Sequence, residues 1–342
     1  MVSISAGFTR HSYGIEAMHE QLPSPCGRLA ATTILPILLS ILFITACQPQ
    51  EETGASGNAD GAEITAARLA NVNAAVPPAP GAESIQAFRR IHCSLQDGQP
   101  AVYGWTGRAY SRSPGEPDRL LFRVDGMNIR QCGTVDDPDK GTGLRMVSKE
   151  ILLYRDPETG AVLDQWENPW TGESVRVLHV ANDPVNQPPM FAIGRDGKPF
   201  SLPIIVSGDQ WWLTSTIPLF YDDPLGGDYQ HYVGGKYHAT EMFNFMGNAT
   251  DLAPDAGDTT EIRVGWVRIA DWLPWMKMGG RPGEVYFHTA GRKLESYEQL
   301  PDIMKNEIAT HYPGYETPPP LDDQRPNETS WTYFKKVIGN EK

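Results

Sequence analysis

Alternation of apolar and polar residues with a period of two dominates the chain beyond residue 83, and it limits the fold more than any other feature. Successive side chains of a β-strand point to opposite faces, so this period is typical of strands and not of helices. Residues 120–124, 211–219 and 262–266 show it clearly. Clusters rich in Gly, Pro and Asp, such as DDPDKGTG at 136–143, separate such segments. About ten segments fit this description of a strand.

Helical spacing occurs only near the two ends of this region. Ile85, Phe88 and Ile91 recur every three residues, and residues 298–311 and 330–338 show a similar spacing. We therefore predict an all-β domain with short N- and C-terminal helices. A single domain with so many strands closes its edges most simply as one large antiparallel barrel of the lipocalin type. A β-sandwich is the alternative.

The N-terminal region contains an uncharged apolar run, LAATTILPILLSILFITA at 29–46, between Arg28 and Cys47. This is the pattern of a secretory signal peptide, which predicts that residues 1–46 are removed. The four residues 44–47, ITAC, resemble a bacterial lipobox, in which the cysteine thiol is acylated after cleavage. A single transmembrane anchor is the alternative, because a run of this length approaches that of a membrane span.

The lipobox predicts a lipoprotein of the cell envelope, attached to the lipid bilayer through acylated Cys47. Gln48 follows the cysteine, and by resemblance to lipoproteins of enteric bacteria this residue permits export to the outer membrane, facing the periplasm. Residues 47–82 contain no aromatic residue and too little apolar surface to offset chain entropy, which predicts a disordered tether. The folded barrel domain is then residues 83–342.

Composition excludes several classes of function. The chain has 29 basic and 42 acidic residues, a net charge of −13, which is the wrong sign for binding nucleic acid. Its four cysteines include no C-x-x-C pair, so a zinc ribbon or a thioredoxin-type centre is excluded. The signatures of serine hydrolases and of nucleotide-binding loops are also missing. We expect no cofactor.

Four long segments carry a resemblance to a known family. They are YSRSPGEPDRLLFRVDGMNIRQC (110–132), NPWTGESVRVLHVANDPVN (168–186), WLPWMKMGGRPGEVYFHTAGRKL (272–294) and NETSWTYFKK (327–336). Together they resemble the bacterial and fungal family known as domain of unknown function 1838, over essentially all of residues 83–342. The resemblance implies no activity and no site residues, because that family has no established function.

The segment KYHATEMFNFMG, at 236–247, is the best candidate for chemistry. As a strand it places Tyr237, Glu241, Phe243 and Phe245 on one face, so a carboxylate lies among aromatic rings. If this face points into a barrel, loss of solvation raises the pKa of Glu241 and makes it a general acid, with Tyr237 close by.

Other interpretations of Glu241 are open. An inward arginine, such as Arg123 or Arg268, can pair with it, or the opposite face with His238 can point inward. A metal site formed by His231, His238 and Glu241 is not predicted, because their H-x6-H-x2-E spacing matches no compact ligand motif.

His179 is a second candidate, in the segment LHVANDPVN, where a strand runs into an Asn-rich turn. A histidine at the mouth of a barrel can carry protons, because its usual pKa is close to neutrality. The alternative is a structural histidine that is hydrogen-bonded to the backbone of the turn.

Aromatic residues supply the candidate ligand contacts, because large rings bury much apolar area. The segment 272–283 combines Trp, Pro, Met and Gly like a loop that covers an apolar opening, although most rings are also expected in the core. The ligand-binding candidates are Trp211, Phe243, Phe245, Trp272 and Trp275.

Cys93 and Cys132 remain after the lipidated cysteine, separated by 39 residues. An oxidising periplasm permits a disulfide between them. Two buried free thiols fit the sequence equally well.

These features predict an envelope lipoprotein whose barrel binds a small apolar or aromatic molecule. One alternative is a cofactor-independent isomerase, hydratase or lyase, with Glu241, Tyr237 and His179 as acid and base. The other is a structural lipoprotein without a ligand. An interior that contains a cavity favours the first two, and an interior packed solid favours the last.

Overall fold

The computed structural model describes residues 76–232, 235–253, 255–258 and 261–340. The predicted signal peptide, the lipobox and most of the predicted tether lie outside these residues. Within them, no helix has both the length and the apolar character needed to cross a membrane.

The described residues contain twelve strands and three α-helices. The helices are α1 (Ala82–His92), α2 (Asp302–His311) and α3 (Ser330–Asn340). The strands are β1 (Ala101–Arg112), β2 (Arg119–Asp137), β3 (Gly141–Arg155), β4 (Gln165–Glu167), β5 (Ser174–Arg176), β6 (Val180–Asn182), β7 (Met190–Phe191), β8 (Ile204–Ser207), β9 (Gln210–Tyr221), β10 (Tyr237–Asn248), β11 (Arg263–Asp271) and β12 (Glu284–Leu294).

Ten of these strands form one antiparallel sheet. Its order is β6-β3-β2-β1-β12-β11-β10-β9-β8. Strand β7 pairs with Gly143 and Leu144 at the start of β3, and β6 pairs with residues 150–152 of the same strand. Strands β4 and β5 form a separate two-stranded sheet. The predicted mostly-β fold, with one large antiparallel sheet and short helices near its ends, is therefore confirmed.

The hydrogen-bonded sheet has two ends, at β6 and at β8, and no strand pairing joins them in the described part of the chain. A closed barrel is therefore not observed. The C-terminal region packs against strands from both halves of the sheet. Helix α3 contacts β6, and the ring of Trp331 in α3 lies 4.0 Å, between centroids, from the ring of Tyr237 in β10.

Two glycines make room for a large indole on the inner face of the sheet. Trp105 of β1 lies opposite Gly126 of β2 and Gly291 of β12. A Cβ atom at Gly126 would lie 2.1 Å from the indole nitrogen, and one at Gly291 would lie 2.6 Å from the Cβ of Trp105. The absence of both side chains lets the ring lie flat across its neighbouring strand.

Helix α1 is attached to the sheet at its C-terminal end, where helix carbonyl groups lack partners within the helix. Lys293 of β12 donates hydrogen bonds from Nζ to the carbonyl oxygens of Arg90 (3.0 Å) and Cys93 (2.6 Å). Cys93 also forms a disulfide with Cys132 of β2. The structure thus contains the bridge and not two free thiols. These bonds fix His92, at the end of α1, above the inner face of the sheet.

Candidate functional site

A cavity of about 580 Å³ lies against the inner face of the sheet. Side chains from β3, near one end of the strand order, and from β9, near the other, line the same cavity. The sheet therefore curls around the cavity. Residues 327–331, near the C-terminus, line another part of the cavity. Small-molecule sites in proteins commonly have volumes of about 300–1,000 Å³.

Alternation along β10 and β11 selects the residues of these strands that line the cavity. Strand β10 contributes Glu241, Phe243 and Phe245, and β11 contributes Trp266 and Arg268. The residues between them point to the other face of the sheet. The inner face of β10 is thus the one that carries the carboxylate and the aromatic rings.

Two of the predicted ligand-binding residues, Phe243 and Phe245, line the cavity, and three do not. Trp211 is fully buried in a separate cluster with residues of α1, β10 and β11. Trp272 and Trp275 are buried in the main core cluster, and the Trp272 indole N–H donates a hydrogen bond to the Arg281 carbonyl oxygen (3.0 Å). A 3-10 turn at Pro274–Met276 directs this segment inward, so it is part of the core and not a cover.

Glu241 forms an ion pair with Arg268, its direct neighbour on β11. The same guanidinium donates a hydrogen bond from Nη2 to the Tyr237 hydroxyl (3.2 Å). Burial acts to lower the pKa of Arg268, but Tyr237 and Glu241 outweigh it and raise that pKa. Of the interpretations that the sequence left open, the structure contains the pair with Arg268. The carboxylate is held by a cation and is not isolated among rings.

Tyr237 and His179 do not line the cavity. Tyr237 is fully buried against Trp331, and burial raises its pKa. The Nδ1 atom of His179 accepts a hydrogen bond from the backbone N–H of Tyr154 (3.1 Å). Burial lowers the pKa of His179 to about 4, so the ring is neutral at physiological pH. It borders a separate void of only about 10 Å³.

His238 and Glu241 are three residues apart on β10, and alternation places them on opposite faces. His238 is exposed, with its ring 4.9 Å, between centroids, from Phe220. The side chain of His231 lies outside the described residues. Among those that are described, no group of three or more His, Cys, Asp or Glu side chains can hold a metal ion.

The structure adds a second carboxyl group, Glu150 of β3, which the sequence analysis did not single out. Its Oε1 atom accepts a hydrogen bond from Nδ2 of Asn182 (2.7 Å), the opposite residue on β6. Burial raises the pKa of Glu150, and the nearby charge of Glu241 raises it further. A carboxyl group with a raised pKa keeps its proton to higher pH and can donate a hydrogen bond.

A basic group lies where α1 meets the cavity. Arg130 of β2 donates from Nε to Oδ1 of Asn128 (2.7 Å), and its Nη1 lies 3.2 Å from Nδ1 of His92. A guanidinium can only donate, so this histidine nitrogen is the acceptor and carries no proton. Burial lowers the pKa of His92 well below its usual range, and the charges of Arg130 and Lys293 lower it further.

Comparison with family models places the chain in a known family. The family described as "Protein of unknown function (DUF1838)" matches residues 98–338, which is more than half of the chain. The chain belongs to this family, and the resemblance carried by the four sequence segments is confirmed. Comparisons with curated proteins and with solved structures found no match.

The raised pKa of Glu150 predicts a specific pH dependence of stability. The folded chain holds this proton at pH values where the unfolded chain has lost it, so ionisation of Glu150 favours unfolding as the pH rises. We expect the free energy of unfolding of Glu150→Gln to increase relative to that of the wild type between about pH 4 and about pH 7. Urea denaturation across this range measures the difference.

Glu158→Gln is the matched control, because Glu158 is exposed in the turn that follows β3. Its pH profile should follow that of the wild type. Identical profiles for both variants and the wild type would show that Glu150 is not desolvated.

Proposed function

We propose that this protein is a binding protein whose curled sheet holds a small apolar or aromatic molecule. The observation that carries the proposal is the cavity of about 580 Å³ on the inner face of the sheet. A structural lipoprotein without a ligand has no use for such a volume, because protein interiors are normally packed without large voids. In this proposal the sheet is a partly open barrel, and the C-terminal segment covers the gap between its two ends.

Aromatic rings from four adjacent strands form one wall of the cavity. Trp266 of β11 lies 5.6 Å from Phe287 of β12, 6.3 Å from Trp105 of β1 and 6.5 Å from Phe243 of β10, between ring centroids. Phe245 continues the row along β10. Aromatic side chains provide large apolar area and stack on flat molecules. This wall therefore fits a ligand with a planar apolar body.

Strand β9 allows a direct test of binding in the cavity. Ser215 lines the cavity opposite Phe243, and it is exposed, so a larger side chain has room there. We expect the wild-type chain to bind the neutral dye N-phenyl-1-naphthylamine, with an increase in dye fluorescence on transfer to an apolar site. Ser215→Trp should weaken this binding by at least about tenfold, because the indole occupies the volume that the dye needs.

Thr216→Trp is the matched control, since Thr216 is exposed on the opposite face of the same strand. It should bind the dye as the wild type does. Failure of the wild type to bind, or an equal loss in both variants, would contradict the proposal.

Acid–base catalysis is a second candidate function, and one observation favours it. Two carboxyl groups, Glu150 and Glu241, line the same cavity and interact electrostatically. Their environments differ, because Glu241 is paired with Arg268 and Glu150 has a raised pKa. Such a difference is typical of an acid and a base acting together. An isomerase, hydratase or lyase would use Glu150 as its proton donor, in place of Tyr237 and His179.

We also propose that acylated Cys47 anchors the protein to a membrane of the cell envelope. The support is the apolar run at 29–46, the ITAC segment and the tether composition of the residues that follow. Each buried methylene of an acyl chain contributes about 0.8 kcal/mol, so two or three chains hold a protein stably at a bilayer.

Metabolic labelling tests this anchor. In a bacterial host supplied with alkynyl palmitate, the wild-type chain should incorporate the label and sediment with membranes. Cys47→Ala should lose the label, because the acylated thiol is missing. Cys26→Ala is the control and should keep the label, because Cys26 lies within the predicted signal peptide at 1–46. A chain that sediments with membranes but takes up no label would support the transmembrane anchor instead.

A further inference from the structure

Arg130 differs from the other charged groups that line the cavity. Its hydrogen-bond partners are the Asn128 amide and the neutral His92 ring, and its guanidinium carbon lies 4.9 Å from the centroid of the Tyr103 ring. The ion pairs of the described residues, with nitrogen–oxygen distances up to 4.0 Å, do not include Arg130. Its Nη2 group has no hydrogen-bond acceptor within that part of the chain.

The acidic groups of the cavity wall have other partners. Glu241 pairs with Arg268, and Glu328 pairs with Lys336 at 3.4 Å. Glu150 is hydrogen-bonded to Asn182. In the ladder between β2 and β3, Glu150 faces Asn128 and Arg130 faces Ser148, so the two charged residues are diagonal neighbours. They form no ion pair within 4.0 Å, although the charge of Glu150 acts to raise the pKa of Arg130.

An arginine in this position carries an electrostatic cost. Burial disfavours its charged form and lowers its pKa, yet arginine remains protonated at neutral pH. A buried cation is costly unless an anion pairs with it. A guanidinium also has a planar donor edge that matches the two oxygens of a carboxylate.

Aromatic rings lead from Arg130 into the cavity. Tyr103 lies 5.9 Å and His92 lies 4.7 Å from Phe245, between ring centroids. Phe245 stacks with Phe243 at 6.1 Å, and Phe243 is followed by Trp266. A molecule held at Arg130 by one end therefore has a continuous aromatic surface beneath its body.

We propose that the ligand of this cavity is an aromatic or apolar acid whose carboxylate binds Arg130. The inference rests on the proposed binding function and names its ligand class. The Nη2 group of Arg130 takes the carboxylate, and the rings of Phe245, Phe243 and Trp266 take the apolar body.

Calorimetric titration of the full chain with 2-naphthoate and 2-naphthamide tests this inference, because the two probes share a shape and differ in charge. We expect the wild type to bind the acid about 10- to 100-fold more tightly than the amide, as a charge-assisted hydrogen bond predicts. Arg130→Met should remove this preference, and its affinity for the amide should stay within about twofold of the wild type.

Arg123→Met is the matched control, because Arg123 is exposed on the outer face of the same strand. It should keep the preference for the acid. Arg130→Lys preserves the charge but loses the planar donor edge, so we expect a severalfold weaker affinity for the acid and an unchanged affinity for the amide. This variant provides the test if Arg130→Met does not fold.

Equal binding of both probes by the wild type would overturn the inference and leave the proposed binding function intact. The same conclusion follows if Arg130→Met, or Arg130→Lys in its place, keeps the full preference for the acid. If the wild type binds neither naphthalene probe nor the neutral dye, the proposed function itself is wrong.

Discussion

Every strand of the large sheet places alternate side chains on its inner face, and this alternation decides which rings and charged groups meet there. At one inner position the indole of Trp105 fits because its neighbours on both adjacent strands, Gly126 and Gly291, have no side chains. Where inner positions hold charged groups, they cannot pack together like apolar residues. The cross-strand pair of Glu241 and Arg268 is such a place, and it borders the cavity.

The ionisable groups of the inner face are balanced in two different ways, and Arg130 is the exception. Glu241 and Arg268 pair directly across two adjacent strands. Burial raises the pKa of Glu150 and lowers the pKa of His92, and both shifts favour the neutral form of the side chain. Arg130 has neither solution, because an arginine keeps its proton and no carboxylate in the described residues pairs with it. This difference supports the proposal of an acidic guest.

The sequence predicts the strands and the inner face of β10 well, because alternation is a local property. Glu241, Phe243 and Phe245 could be placed on one face from their spacing alone. The partner of Glu241 could not be chosen, since the register between β10 and β11 is set by the whole sheet. Trp272 and Trp275 show the opposite failure, because a loop-like composition does not reveal that a 3-10 turn directs both rings into the core.

The groups that the sequence analysis missed depend on contacts between distant segments. Glu150 acquires its environment from Asn182, and Arg130 acquires its environment from His92, 38 residues away. Alternation within β2 and β3 could have placed Glu150 and Arg130 on inner faces. Alternation could not have shown that Glu150 is hydrogen-bonded to the Asn182 amide, or that no carboxylate of the described residues pairs with Arg130.

We infer that the curled sheet encloses a space that accepts a flat guest. A crystal structure of the chain grown with a saturating neutral naphthalene derivative tests it most directly. We expect electron density for the guest inside the sheet, in contact with Phe243 and Trp266. An interior filled by rearranged side chains, with the guest absent or bound only on the outer surface, would contradict it.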